Sequence, residues 1–392
     1  MTTELVPTDG HGQAEPLPSQ RSRFDLPADI AYLNCAYMAP QLAAVTEAGE
    51  RAVRAKAQPW TISPPDFFAG PESVRAALAA VTGLDADGIA IGPAVSYGLA
   101  NAAANIPLSR GQQVVVLAEE FPSGFYAWSA AASAAGAQVV TVPRPEDSDW
   151  TSSVLAAIDE RTAVVSVPPC HWTDGGVVDL VRVGEAARAA QSALVVDASQ
   201  WLGAAPLDVD AIRPDVVSAV GYKWLLGPFN FGCTWFAPHL RDGVPLEGNW
   251  LSRAGSENFS GLVDYTDDFQ PGARRFDMGE VSSFIHAAMA PVALGQIDEW
   301  GVERIAATLR RSTDQIVADA EAIGLSATPA AHRSPHLVGL RLPTGAAADL
   351  PERLAAAGVH VSLRGDAIRV SPHLYNEQAD FARLRAVLES SV

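Results

Sequence analysis

Short apolar runs recur through the first two thirds of the chain and stop abruptly on polar or glycine residues. They read GIAIG (88–92), QVVVLAEEF (113–121), QVVTV (138–142), AVVSV (163–167), ALVV (193–196) and VVSAV (216–220), with helical spacing in most of the intervals between them. Runs of this length and β-branching suit strands buried in a parallel sheet. Their alternation with helical stretches predicts βαβ units and an α/β fold. CTWF (233–236), following Gly227 and Gly232, predicts an antiparallel return strand.

The flanks are patterned differently. Residues 1–22 are polar, rich in Pro and Gly and without periodicity, which predicts a flexible leader. AYLNCAYMAP (31–40) reads as an extended piece. QLAAVTEAGERAVRAKA and SVRAALAAVTG have helical spacing, with a Pro- and aromatic-rich loop (Trp60 to Gly70) between them. That loop reads equally as the lining of a substrate entrance or as surface pinned by its own aromatics. Residues 245–280 are loop-rich, a helical region covers Ile285 to Ile323, and strands near LVGLRL, HVSL and IRV predict a small α+β segment. The expected division is a large domain over 23–280 and a small one over 281–392, with part of the N-terminus packing on the latter.

Two of the apolar runs end on groups that carry chemistry. ALVV stops at Asp197, and VVSAV stops at Gly221-Tyr222-Lys223. Ligands of open α/β sheets gather at the carboxyl ends of strands, so both side chains should face one crevice. That pair suits pyridoxal phosphate: an amine to form a Schiff base with the aldehyde, and a carboxylate to keep the pyridine nitrogen protonated. Lysine usage sharpens this. Of 27 Lys and Arg residues only Lys56 and Lys223 are lysines, and burying one at a strand end is costly unless the amine is used. Ser96, where a strand turns into PAVSYGLANAAAN, starts a helix whose first N–H groups could cradle a phosphate or merely be capped. Phe121 lands on the same rim as a cofactor cover or a core aromatic.

Composition narrows the class further. A net charge of −18 and the absence of any basic run argue against nucleic acid. Cys35, Cys170 and Cys233 are too scattered for a disulfide framework or metal site and fit a reducing cytoplasm. No apolar run approaches membrane-span length.

The motif VVDASQ…GYKWLLGP, with the order of elements around it, resembles the class V branch of fold-type I pyridoxal-phosphate enzymes: cysteine desulfurases, kynureninase, isopenicillin N epimerase-like proteins and C–S lyases. The resemblance covers nearly the whole chain after the leader. It implies a fold-type I transferase with a mainly parallel sheet in the large domain and a smaller α+β C-terminal domain. It further implies Lys223 as the Schiff-base lysine, Asp197 as pyridinium partner and Gln200 near the phenolic oxygen. Ser96, Tyr97 and Tyr222 would serve the phosphate, and Phe121 would stack on the ring. In CHWTDGG, His171 and Asp174 could contact the cofactor or its surroundings, although a lone strand-end histidine is often a structural hydrogen-bonder. In SLRGDAIRVSPHLYN, Arg369 matches the clamp for a substrate α-carboxylate, and Arg364 could support it.

Departures from the family pattern narrow the activity. The loop before Arg369 lacks the cysteine a desulfurase uses to accept sulfur, and Phe121 stands where those enzymes place histidine. RRFDMGE (274–280) occupies the position of a segment that crosses the subunit boundary in this family, so a homodimer is expected. Glu280 there would repel a phosphate unless paired with Arg274 or Arg275, which leaves Ser282 or Ser283 as candidate donors. The expected activity is cleavage of a β C–S bond in a bulky S-substituted cysteine. Epimerisation, transamination or decarboxylation-coupled deamination, and a non-catalytic binding role, are the alternatives.

Overall fold

After β1 (Ala31–Tyr32), the apolar runs become β2 (Ile89–Gly92), β3 (Gln113–Leu117), β4 (Gln138–Val142), β5 (Thr162–Val167), β6 (Ala193–Asp197), β7 (Val216–Val220) and β8 (Gly232–Phe236). This is a computed structural model, and it describes residues 14–343, 349–365 and 367–391. The seven strands form one sheet in the order β2-β8-β7-β6-β5-β3-β4, parallel throughout except for β8, which returns antiparallel between β7 and β2. Alternate residues feed opposite cores. Val115, Leu117, Val165, Val196 and Val217 face one side, while Val114, Val116, Val164, Val195 and Val216 face the other. A sheet covered on both faces explains why its strands are apolar at nearly every position.

Helices α1 (Ala43–Ala55), α2 (Asp66–Thr82), α3 (Val95–Asn105), α4 (Pro122–Ala135), α5 (Trp150–Ala157), α6 (Leu180–Ala189) and α7 (Val209–Ile212) precede or link these strands. The Trp60 to Gly70 stretch departs from the loop expected there, because α2 already begins at Asp66. Asp66 accepts hydrogen bonds from Ser63 N and Oγ, both at 2.7 Å. Phe67 then meets Phe259 and Phe284 edge to face and Trp250 at a tilt, so its ring pins the start of the helix.

The helical region after residue 280 is two helices, α8 (Phe284–Trp300) and α9 (Val302–Glu321), broken at Gly301, whose φ of 77° suits glycine. Met289, Ala293, Leu294 and Ile297 of α8 belong to the large core. The small core starts in α9 with Ile316 and Val317, and it includes Leu33, Leu340, Ile368 and Phe381. Its sheet joins β9 (Ser326–Ala327), β10 (Val338–Arg341), β12 (Ser362–Arg364) and β13 (Ala367–Val370), flanked by α10 (Leu350–Ala356) and α11 (Gln378–Glu389). β1 pairs in parallel with β11 (Val359–His360), which ties the N-terminal extended piece to the small domain.

Of the stretch read as a leader, residues 1–13 lie outside the described residues. The part from Leu17 onward is fastened instead of free. Leu17 N donates to Thr308 Oγ1 at 2.8 Å, Gln20 N to Leu374 O at 2.8 Å, and Arg21 pairs with Asp380 at 3.1 Å. Among the described residues no helix is long and apolar enough to cross a membrane, and no cluster of potential metal ligands occurs.

Candidate active site

The carboxyl ends of β3, β5, β6 and β7 and the start of α3 converge on a cavity of about 220 Å³. β6 ends on Asp197, and the turn that follows donates Ser199 N to Asp197 Oδ1 at 2.9 Å. Past β7, Gly221 lies so close to Phe231 that a Cβ there would sit 2.1 Å from the ring, and this permits the tight turn that delivers Lys223. At the end of β3 the chain turns through Glu119, a non-glycine residue at φ 55°. Backbone held in that region typically costs about 1–3 kcal/mol and concentrates at functional sites. The turn places Glu120 and Phe121 on the cavity wall.

Ser96, Phe121, Asp197, Gln200, Tyr222 and Lys223 all line this cavity. The Lys223 Nζ lies 5.5 Å from the centre of the Phe121 ring and 5.9 Å from that of Tyr222. Gln200 spends its side chain on the protein: Oε1 accepts from Trp224 Nε1 at 2.8 Å, and Nε2 donates to Ala36 O at 3.0 Å, leaving one amide hydrogen. Burial lowers the Lys223 ammonium to about 8, opposed by the Asp197 charge and assisted by Arg369. Burial raises the Asp197 carboxyl, partly offset by its bonds to Ser199 and by Lys223.

Three expected contributors point elsewhere. The Tyr97 hydroxyl donates to Asp277 O at 3.4 Å, away from the cavity. His171 is buried flat against Trp150, with ring centroids 5.2 Å apart and 5° between planes. Burial holds it neutral, and its Nε2 meets Ala118 O at 3.0 Å, so the structural role considered for it is the one its position fits. Asp174 pairs with Arg144 at 2.5 Å and accepts Gly176 N, which anchors the loop after β5.

The two arginines expected at the substrate, Arg364 and Arg369, gather on Trp172, a residue of the cavity wall. Residues alternate along β13: Ile368 and Val370 enter the small core, and Arg369 projects the opposite way. Arg369 Nη1 donates to Trp172 O at 2.9 Å, and its guanidinium lies 5.9 Å from the Trp172 ring. Arg364 covers the same ring at 5.4 Å. Arg369 is buried, its Nε lacks a hydrogen-bond partner, and no carboxylate pairs with it among the described residues. Burial and the neighbouring Arg364 depress it to about 9.

Sequence reasoning missed Glu120. Its carboxyl is raised to about 8, by burial first and by Asp197 second, against the opposing pull of Phe121 N–H, which donates to Oε1 at 2.7 Å. The AEEF run placed it at a strand end, but its inward direction depends on the Glu119 turn. Cys170 also lines the cavity; burial pushes its thiol up, so it is no ready thiolate.

The RRFDMGE segment is tied up within its own chain. Arg274 pairs with Glu72 at 2.7 Å and Asp87 at 3.0 Å, Arg275 with Asp242 at 3.2 Å, and Asp277 with Arg75 at 2.6 Å. Ser282 Oγ donates to Phe67 O at 2.6 Å, which uses its hydroxyl proton, whereas Ser283 Oγ accepts His286 N at the start of α8 and keeps its proton. Glu280 is exposed and does not pair with Arg274 or Arg275.

A buried amine and a carboxylate facing one cavity, the eleven-residue helix α3 starting at its rim and an unpaired buried guanidinium beside it fit pyridoxal 5′-phosphate and an amino acid. The fold and site define a pyridoxal-phosphate-dependent enzyme. The chain belongs to the aminotransferase class-V family, whose sequence profile matches residues 92–384. It is 27% identical to an uncharacterized aminotransferase, YcbU, of Bacillus subtilis (strain 168), over 79% of this chain and 80% of the relative. Isopenicillin N epimerase of Streptomyces clavuligerus is 26% identical over 81% of this chain and 83% of its own length. Among solved structures, the cystine C–S lyase C-DES in complex with its reaction product cysteine persulfide superposes with a TM-score of 0.83 at 17% identity, covering 93% of this chain and 98% of the other. At that identity the likeness is one of fold.

Proposed function

We propose that this chain is a pyridoxal-phosphate-dependent lyase that cleaves the β C–S bond of a bulky S-substituted cysteine. The observation that carries the reading is the setting of Lys223, a buried amine depressed to about 8 by desolvation, in one cavity with Asp197 and next to the unpaired Arg369. Lys223, Asp197, Ser96 and the first turn of α3 would hold the cofactor, with Phe121, Tyr222 and Gln200 around it. When bound, the cofactor supplies an electron sink for the pair released at the substrate's α-carbon. Arg369 grips the α-carboxylate through a charge-assisted fork and so orients the Cα–H bond. Lys223 Nζ, neutral in part near pH 8, takes the α-proton and can hand it to the departing sulfur. Asp197 keeps the proton on the pyridine nitrogen, and Phe121 and Trp172 screen the site from water.

Room for a bulky substituent comes from a second pocket, of about 410 Å³, on the far side of Trp172. Epimerisation is the second reading, supported by the match to isopenicillin N epimerase across most of both chains. A homodimer remains the proposed assembly, supported by exposed aromatics near the site such as Tyr37 and Phe229, which packs on Tyr222. Product analysis by mass spectrometry on a panel of S-substituted cysteines tests the activity. The lyase releases thiol, pyruvate and ammonia in equal amounts, whereas recovery of the amino acid inverted at Cα with no thiol establishes the epimerase.

A further inference from the structure

The pocket beyond Trp172 is walled by Glu119, Arg144, Trp172, Asp174, Arg341 and Arg364, and it shares Trp172 with the cofactor cavity. Its charges are not equivalent. Arg144 is neutralised twice, by Glu119 at 2.8 Å and Asp174 at 2.5 Å, and also donates to Thr173 Oγ1 at 3.0 Å. Arg341 lies 3.9 Å from Asp174. Arg364 differs: its guanidinium donates to the carbonyl of its own neighbour, Leu363, its Nε is buried without a partner, and no carboxylate pairs with it among the described residues.

Two guanidiniums, those of Arg364 and Arg369, therefore stand over one indole, each depleted of anionic partners. Their mutual repulsion contributes to the depression of Arg369. A substrate's α-carboxylate satisfies Arg369 alone. Trp172 is fixed at both ends, since its indole N–H donates to Glu119 O at 2.7 Å and its carbonyl accepts from Arg369. Its edge thus sets a firm boundary past which a substrate side chain must run to reach the outer pocket.

We infer that Arg364 binds a second anionic group, at the far end of the substrate's S-substituent, so that the preferred substrates are cysteine conjugates with an acidic tail. The inference rests on the proposed orientation of an amino acid at Arg369. Planar, forked recognition suits a carboxylate, and the guanidinium lies over the Trp172 ring on the wall of the outer pocket.

The test compares S-carboxymethyl-L-cysteine with S-carbamoylmethyl-L-cysteine, a pair of nearly equal size that differ in charge. Two readouts are taken on the holoenzyme: kcat/KM for thiol release, and the concentration that half-saturates the change in the bound cofactor's visible absorbance, which needs no turnover. The acid should be favoured by roughly 10- to 100-fold, the worth of a charge-assisted hydrogen bond. Arg364→Gln should bring the two compounds together, and Arg364→Lys, which keeps the charge but loses the fork, should retain part of the preference. A wild-type enzyme indifferent to the charge, or a preference that survives Arg364→Gln, overturns the inference. Tighter binding of the acid without thiol release supports it and removes the lyase reading. Equal thiol release from both compounds does the reverse.

Discussion

Arg75 and Asp277 are as deeply buried as Lys223 and Arg369, yet the two pairs live under opposite conditions. Arg75 gives both terminal nitrogens to Asp277, at 3.1 and 2.6 Å, a further bond to Ile89 O and its Nε to Glu72. Asp277 also accepts Ile91 N at 2.7 Å. Arg274 reaches the same Glu72, so a loop between the domains is sewn to α2 and β2. At the cavity, Lys223 has no side-chain hydrogen bond among the described residues and Arg369 has one, to a carbonyl. Buried charges are ordinarily paired, because desolvation is otherwise uncompensated. Lys223 and Arg369 stay unpaired beside a cavity, where a ligand can reach them, and that distinguishes this region from the structural one.

Substitutions should break the two regions in opposite ways. The largest effect is expected from Lys223→Ala, which should abolish turnover while leaving the melting temperature of the cofactor-free chain unchanged or raised, since there it removes a desolvated amine with nothing to hold it. Residual activity at more than trace level would show that Lys223 is not the essential amine. Arg75→Ala should do the converse, destabilising the fold by about 3–5 kcal/mol because Asp277 is left buried and alone. Urea unfolding measures this, and a loss under about 1 kcal/mol would mean that water repairs the gap.

The smallest effect, and the one that sharpens the contrast, concerns Glu120→Gln. In the folded, cofactor-free chain the carboxyl keeps its proton up to about 8, against an ordinary value of 4.5 when unfolded. Its contribution to stability is therefore complete below the ordinary carboxylate range and is lost as pH rises through about 8. Glutamine mimics the protonated acid at every pH. The melting temperature of the wild type should thus fall progressively below that of Glu120→Gln between about pH 5 and 8. Parallel curves would show that Glu120 ionises normally.

How much of this was readable in advance depended on how far apart the partners lie in the chain. The meeting of Asp197 and Lys223 was legible because each ends its own strand, and parallel neighbours bring like ends together. His171 and Asp174 also follow a strand end, but the stacking of His171 on Trp150 and the pairing of Asp174 with Arg144 turn them from the cavity. The charges of RRFDMGE suggested a segment that crosses the subunit boundary, and their partners within the chain were not legible because Arg274 and Glu72 are 202 residues apart.

By itself the sequence determined the alternation of strands and helices, the antiparallel return at CTWF and the placement of a lysine and an aspartate on one sheet edge. Those follow from local periodicity and from where apolar runs stop. Only the tertiary structure decided that α8 packs into the large core, that Glu120 turns inward, and that Arg364 and Arg369 share Trp172. The first and last of these depend on packing between distant segments, which has no period for a sequence to display, and the second on the left-handed turn at Glu119.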